Sequence, residues 1–249
     1  MATRRLTLSE MLQLRRWNTP TIFNGWEQVT RRNYGTECFN VERTTDYMPQ
    51  MGNMVGTAIT VAIQPSVREH KENKSAWAEY REYAASIPGP KIVVVQDLDK
   101  PRIYGSFWGE VNANVHRTLG CVGTITDGGI RDVDEMTQAG FKAISTGLCV
   151  GHAYVTPVRW NCPVEVFGVT VKPGQLIHAD KHGFLVVPEE DEERLLEASL
   201  FMDNLEIETK IAAAVSQTGH PLSEALSAIN QANAAFAQSA VARYGKAGE

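Results

Sequence analysis

Residues 107–146 read FWGEVNANVHRTLGCVGTITDGGIRDVDEMTQAGFKAIST. FWGEVNANVHRTLG predicts a helix opening near Gly109 and closing at Gly120. CVGTIT is a short apolar run and predicts a strand. VDEMTQAG predicts a second helix ending at Gly140, and FKAIST a second strand. Strand and helix signals that alternate at this spacing indicate an α/β fold.

The same alternation extends upstream. VGTAITVAI (55–63) is rich in β-branched residues and predicts a strand, and IVVVQD (92–97) a buried one. Between them, HKENKSAWAEYREYAA (70–85) predicts a helix with a solvated charged face, broken by SIPGPK. Toward the N-terminus, Thr7 is placed to cap a helix carrying Leu8, Met11, Leu12 and Leu14, and a second helix runs through Trp26 and Val29. Residues 34–50 have no clear period and predict an irregular connection.

Downstream, VEVFGVTVKPGQLIHADKHGFLVVP predicts short antiparallel strands joined by glycine turns. PEEDEERLLEASLFMDNLEIETKIAAAVSQ predicts a long exposed helix with Pro188 at its start, and the remainder further helix. The expected organisation is one domain over residues 1–249. It has a helical N-terminal segment to about residue 33 and a helical extension from about 189.

Composition narrows the functions available. Hydrophobic residues are 43% and charged residues 21% of the 249, ordinary values for a soluble globular chain able to bury its own core. A net charge of −5 argues against a basic nucleic-acid surface. The four cysteines, Cys38, Cys121, Cys149 and Cys162, are scattered without zinc spacing or a disulfide framework. No apolar run approaches membrane-spanning length, and MATRRLTLSE lacks an apolar leader, so a cytoplasmic protein is expected. No GxGxxG follows a strand, and the histidines form no HExxH. His116, His152, His178 and His182 are individually unremarkable, and the Arg pairs at 15–16 and 31–32 suit solvated faces.

That leaves TDGGIRDVDE (126–135), with two glycines ahead of an Arg-Asp pair. One reading is a helix start: Asp132 and Glu135 form a capping-box-like pair, and the glycines make a turn with positive φ. The other is a ligand site. Glycines admit a ligand close to the backbone, and amides opening a helix attract anions. Arg131 can grip a carboxylate through two hydrogen bonds, and Asp132 offers a hard oxygen to Mg²⁺ or Mn²⁺. Adjacent side chains should diverge, but a chelated 2-oxo acid could bridge them. A second carboxylate, Glu110, follows Gly109 at another loop-to-helix junction, where the amides of Val111, Asn112 and Ala113 are expected to face Asp132.

WGEVNANVHRTLGCVGTITDGGIRDVDEM resembles the signature of the 4-hydroxy-4-methyl-2-oxoglutarate / 4-carboxy-4-hydroxy-2-oxoadipate aldolase family, which also includes the regulator of ribonuclease activity A proteins. Its aldolases carry an acidic residue, twenty intervening residues and then Arg-Asp, the spacing of Glu110 and Arg131-Asp132. MVGTAITV, PGPKIVVVQD and GVTVKPGQLIHADKHGFLVVPEE resemble further family segments. The resemblance implies a core like the swivelling β/β/α phosphohistidine domains, with flanking N- and C-terminal helices. It also implies trimers or hexamers with the active site at a subunit interface.

Carried over, Asp132 coordinates the metal, Arg131 binds the pyruvate moiety, and the loop from Gly109 through the 111–113 amides binds the substrate carboxylate. Glu110 holds metal-bound water, and Glu206 from a neighbouring subunit approaches the same water shell, with Glu208 as competitor. The chain departs from the family pattern at Glu110 (usually Asp), at Asn112 and Asn114 (usually small or aliphatic) and at His182 (usually acidic). Trp108 is placed either to wall the pocket or to pack in the core.

The implied activity is metal-dependent cleavage of a 4-hydroxy-2-oxo acid to release pyruvate through an enolate, with oxaloacetate decarboxylation as a side activity. The competing expectation is a non-catalytic binding protein of the ribonuclease-regulator type, against which the complete acidic–Arg-Asp set argues. Methyl transfer to a quinone is discounted for want of a glycine-rich cofactor loop.

Overall fold

β2 (Met54–Ile63) is buried at all ten positions, because neighbours cover both its faces and its edges. It pairs in parallel with β3 (Lys91–Asp97), β3 with β5 (Cys121–Ile130), and β5 with β6 (Lys142–Leu148). On its other side β2 meets β10 (Leu176–Asp180), which turns back antiparallel into β11 (Gly183–Val187). β1 (Thr45–Asp46), β4 (Ser106–Trp108) and β7 (Pro157–Trp160) attach to β6, β5 and β2 and complete a nine-stranded mixed sheet. β8 (Val164–Val166) and β9 (Val169–Val171) form a separate hairpin. The computed structural model describes residues 4–246.

Three apolar layers hold these parts together. α3 (Ala76–Ser86), α4 (Glu110–Thr118) and α5 (Val133–Gln138) place Tyr80, Ala84, Ala113 and Met136 against Val93, Val95 and Phe141. On the opposite face, Val164, Val166, Phe167 and Val171 pack with Ile92, Val94 and Phe184. In the third layer α1 (Leu8–Leu14), α2 (Thr19–Val29) and α6 (Glu189–Glu206) enclose Leu14, Ile22, Trp26, Leu185 and Leu195. The result is the expected mixed α/β core with flanking helices. No helix among the described residues is long and apolar enough to cross a membrane.

The N-terminal helices open as their sequence demands. Thr7 and Glu10 close a reciprocal capping box on α1, and Asn18 caps α2. The irregular connection is pinned by a buried ion pair between Lys142 and Asp46, with Lys142 also donating to Met48 O. His178 ties α1 and α2 to the sheet: Nδ1 lies 2.9 Å from Thr19 Oγ1 and Nε2 lies 3.2 Å from Leu14 O. A carbonyl only accepts, so the proton sits on Nε2 and Thr19 donates to Nδ1.

Several expectations need correction. The helix placed over 70–85 begins at Ala76, and Arg68–Glu72 is a 3-10 turn. The strand beginning at Cys121 continues through both glycines to Ile130. The helix after Pro188 is not simply exposed. Asp191, Glu192, Leu195, Ala198, Ser199 and Met202 are buried against α2 and the N-terminal arm. Its acids are buried with partners: the Trp26 indole donates to Asp191 at 2.9 Å, and Arg5 pairs with Glu192 at 3.1 Å. A π-turn over Ile207–Ile211 leads into α7 (Ala212–Ser216), and α8 (Leu222–Tyr244) forms the expected further helix.

α2 meets α6 at Gly25, where an added Cβ would lie 2.5 Å from Ser199 Cα. Gly25→Ala is therefore expected to lower stability by about 1–3 kcal/mol, read as a lower urea midpoint; an unchanged midpoint would show that the helices can separate freely. Burial also pushes His178 down to about 4. Unfolded, it protonates near 6.5. As pH falls between those values the unfolded chain binds more protons than the folded one, so stability falls. His178→Gln should show a smaller loss than wild type between pH 7 and 5; an equal loss would contradict this.

Candidate functional site

β5 changes partners within the opening motif. Its pairing with β3 ends at Val95–Thr126, and from Gly129 it pairs with β4 instead, while its register with β6 shifts between Thr126 and Gly129. Neither Gly128 nor Gly129 has positive φ, contrary to the turn expected there. Both are small because of close approach. A Cβ on Gly128 would lie 2.8 Å from Asp97 Oδ2, and one on Gly129 would lie 2.6 Å from Ile103 Cγ2.

Positive φ falls on Asp132 instead, at φ 56° and ψ 47°. An L-residue there is uncommon, and the short polar Asp tolerates it better than most. Asp132 occupies the cap position of α5 but makes no side-chain capping bond, so the capping-box reading fails. Its Oδ2 accepts the Glu110 amide, at the start of α4, at 3.1 Å. The backbone turn also brings the two side chains together, with Arg131 Nη2 3.9 Å from Asp132 Oδ2. The expected divergence of this pair is corrected: both lie against Gly109, whose hypothetical Cβ would be 2.6 Å from Asp132 Oδ2 and 3.3 Å from Arg131 Nε.

Gly109 has extended backbone and offers no side-chain cap to α4. The amides of Val111 and Asn112, in the first helical turn, therefore lack intrahelical partners. Ala113 does not belong with them, because its amide donates to Gly109 O at 2.9 Å and closes the first turn of the helix. Glu110 itself is exposed. Asn112 Nδ2 donates to Phe107 O at 2.8 Å, and Asn114 Nδ2 to Glu110 O at 2.9 Å, so both asparagines brace the α4 start.

A cleft of about 210 Å³ adjoins this point; Arg131, Gly109, Val111 and Asn112 line it together with Trp77, Arg81, Trp108, His152 and Val155, while Glu110 and Asp132 stand next to its lining residues and not in the lining itself. A larger cavity of about 560 Å³, near Arg32, Lys172 and Glu190, includes none of the Glu110 or Arg131-Asp132 residues. Trp108 takes both expected parts: it is buried in the aromatic core, its ring centroid 4.6 Å from that of Phe141, and it also backs the cleft wall. Beneath it His116 bonds Asn112 O at 2.7 Å and Tyr80 Oη at 2.9 Å, and burial holds it down at about 4, so it stays neutral. Trp77 and Arg81 went unrecognised in the sequence. Their i, i+4 spacing on α3 was the available signal.

Behind the glycines lies a buried acid pair. Asp127 Oδ1 accepts the Asp97 amide at 2.7 Å, and Lys100 lies 2.9 Å from Asp127 Oδ2. Burial pushes Asp97 up to about 7 and raises Asp127 as well, with Lys100 opposing the latter. These residues hold the end of β3 to β5 where the strand pairing stops.

Among the described residues, no three His, Cys, Asp or Glu side chains form a group able to hold a metal. A closed cage of zinc type is not built here. The donor set does fit a hard cation that takes one or two carboxylates and keeps its waters, because among the described residues only Oδ2 of the Asp132 carboxylate is engaged. Glu206 accepts from Asn24 of its own chain at 3.2 Å, whereas Glu208, on the π-turn, is exposed.

The RraA-like profile, described as Aldolase/RraA, matches residues 19–186. The chain belongs to the RraA-like family. This RraA-like chain is 26% identical over 167 residues to Protein DlpA of Legionella pneumophila, covering 66% of this chain and 26% of that protein. It is 32% identical over 116 residues to a Halalkalibacterium halodurans protein provisionally named 4-hydroxy-4-methyl-2-oxoglutarate aldolase, covering 46% and 53%. The chain thus spans about a quarter and about half of these relatives' lengths. An uncharacterized protein from Pseudomonas syringae superposes with a TM-score of 0.69 at 20% identity, covering 90% of this chain and 96% of that one. Streptomyces coelicolor RraAS2, described as an unusual member of the RNase ES inhibitor RraA family, superposes with a TM-score of 0.65 at 21% identity, covering 82% and 96%.

If the RraA-like chain uses this cleft, Gly109→Ala should displace the Asp132 carboxylate and cost at least about tenfold in turnover at unchanged thermal stability. Activity assays beside melting curves check this; full activity would mean that the Asp132–Glu110 contact is dispensable.

Proposed function

We propose that the protein is a divalent-metal-dependent lyase that cleaves a 4-hydroxy-2-oxo acid to release pyruvate. The observation that carries this reading is the convergence of Arg131 and Asp132 on Gly109, beside two amides without helical partners. Provisional aldolase names among its relatives point the same way.

In this reading the substrate's 2-oxo carboxylate lies against the Val111 and Asn112 amides, and Arg131 supplies charge-assisted hydrogen bonds to the pyruvate half. Asp132 and Glu110 are the residues that would hold Mg²⁺ or Mn²⁺, which would supply positive charge to offset the negative charge that cleavage develops. Cleavage removes the proton of the 4-hydroxyl and breaks the C3–C4 bond. The bonding pair passes into the 2-oxo group, the distal half leaves as a carbonyl compound, and a proton returned to C3 completes pyruvate. Arg131 stabilises negative charge as it grows on the 2-oxo oxygen. Glu110, exposed beside the cleft, orients the proton carrier. Decarboxylation of oxaloacetate yields the same enolate and is the expected side reaction. In a homo-oligomer, Glu206 or Glu208 of a neighbouring copy would supply a further carboxylate to the site, and of the two Glu208 has the freer one.

Arg131→Ala and Asp132→Asn should each lower pyruvate release by about 100-fold or more with folding retained, and EDTA should abolish it reversibly. Full turnover in EDTA would overturn the proposal. A stoichiometric ribonuclease complex without any turnover would favour the regulator reading instead.

A further inference from the structure

Among the described residues, Arg81 is a guanidinium without an anion. It extends from α3 into the wall of the cleft that Arg131 also lines. Its Cζ lies 5.1 Å from the Trp77 ring centroid, and Trp77 is in turn stacked on Phe107 with centroids 5.1 Å apart. Its Nε is buried and makes no hydrogen bond, and no carboxylate among the described residues forms an ion pair with it. Two further polar atoms of the same wall are buried without partners, Trp108 Nε1 and Asn112 Oδ1.

Burying part of a cation without a counter-charge is unfavourable, and a second guanidinium in the same small cleft adds repulsion. Stacking on Trp77 keeps Arg81 flat and limits its rotamers, so little ordering is left to do when a ligand arrives. A ligand with one negative charge satisfies Arg131 alone. A ligand with negative charge at both ends satisfies both arginines.

We propose that Arg81 is the specificity-determining residue for the departing half of the substrate, binding an anionic group there and selecting 2-oxo acids that carry a second carboxylate. This rests on the lyase reading for the identity of the reaction, but not for the charge preference. Trp77 positions Arg81 and does not itself need to touch the substrate.

A matched pair of acids tests it. 4-Hydroxy-2-oxoglutarate and 4-hydroxy-2-oxopentanoate differ only by a carboxylate or a methyl group at the distal end. Wild type should prefer the first. Arg81→Met, which keeps an apolar stem against Trp77, should lose about 10- to 100-fold in kcat/KM for the dicarboxylate, mostly through KM. It should change the monocarboxylate by less than about threefold. Arg81→Lys should recover part of the preference. Equal losses for both acids would mark Arg81 as merely structural, and an unchanged dicarboxylate would remove it from the site; either overturns the proposal.

Binding separates this from failure of the lyase reading. Calorimetry with 2-oxoglutarate and 2-oxopentanoate in the presence of Mg²⁺ should show a dianion preference that Arg81→Met abolishes, whether or not the protein turns over. Should cleavage be absent and this preference present, the lyase reading falls and the Arg81 assignment stands. No preference in wild type would overturn the assignment itself.

Discussion

The Asp132 carboxylate accepting the Glu110 amide at 3.1 Å is the contact around which the candidate site is arranged. It links the start of α4 to the end of β5, and three local features make it possible. Gly109 has no side chain to occupy the space of the carboxylate. Asp132 adopts a left-handed backbone that turns its side chain away from its own helix. β4 pairs with β5 at Gly129 and Ile130 and so delivers Gly109 to that point. The strain at Asp132 is of the kind that persists only where surrounding structure over-determines it.

The doubled glycine follows from the same constraint. β5 must leave β3 and take up β4 while staying beside β6, and this requires close passage over Asp97 and Ile103. The buried Asp97–Asp127 pair and Lys100 secure the departure point. The charges at the mouth differ in kind from those behind it. All three are partly buried, but Arg131 and Asp132 are adjacent and oppositely charged, whereas Arg81 has a buried Nε and no carboxylate partner among the described residues.

Much of the fold was legible because local signals and tertiary needs agreed. The Thr7 cap, the β-branched run 55–63 and the glycine turns after Val164 each became the element their residues favour. Legibility failed where burial overrode local preference. The acids opening α6 suggested an exposed helix, yet Trp26 and Arg5 supply partners that let Asp191 and Glu192 be buried. At the candidate site, residue type and spacing single out Glu110, Arg131 and Asp132, and the structure brings the three together. Ala113 was not separable from Val111 and Asn112, since one residue's difference in helix start decides which amides are spent.

By itself the sequence determined the alternation of strands and helices, the Thr7 cap of the first helix, and the chemical inventory of two acids and an arginine near paired glycines. Those follow from propensity and periodicity, which act over a few residues. Tertiary structure alone decided that Asp132 faces Gly109 rather than capping its own helix, that Arg131 converges with it, and that Arg81 from a separate helix shares the cleft. These depend on contacts between segments distant along the chain, and no local preference encodes the direction in which a side chain finally points.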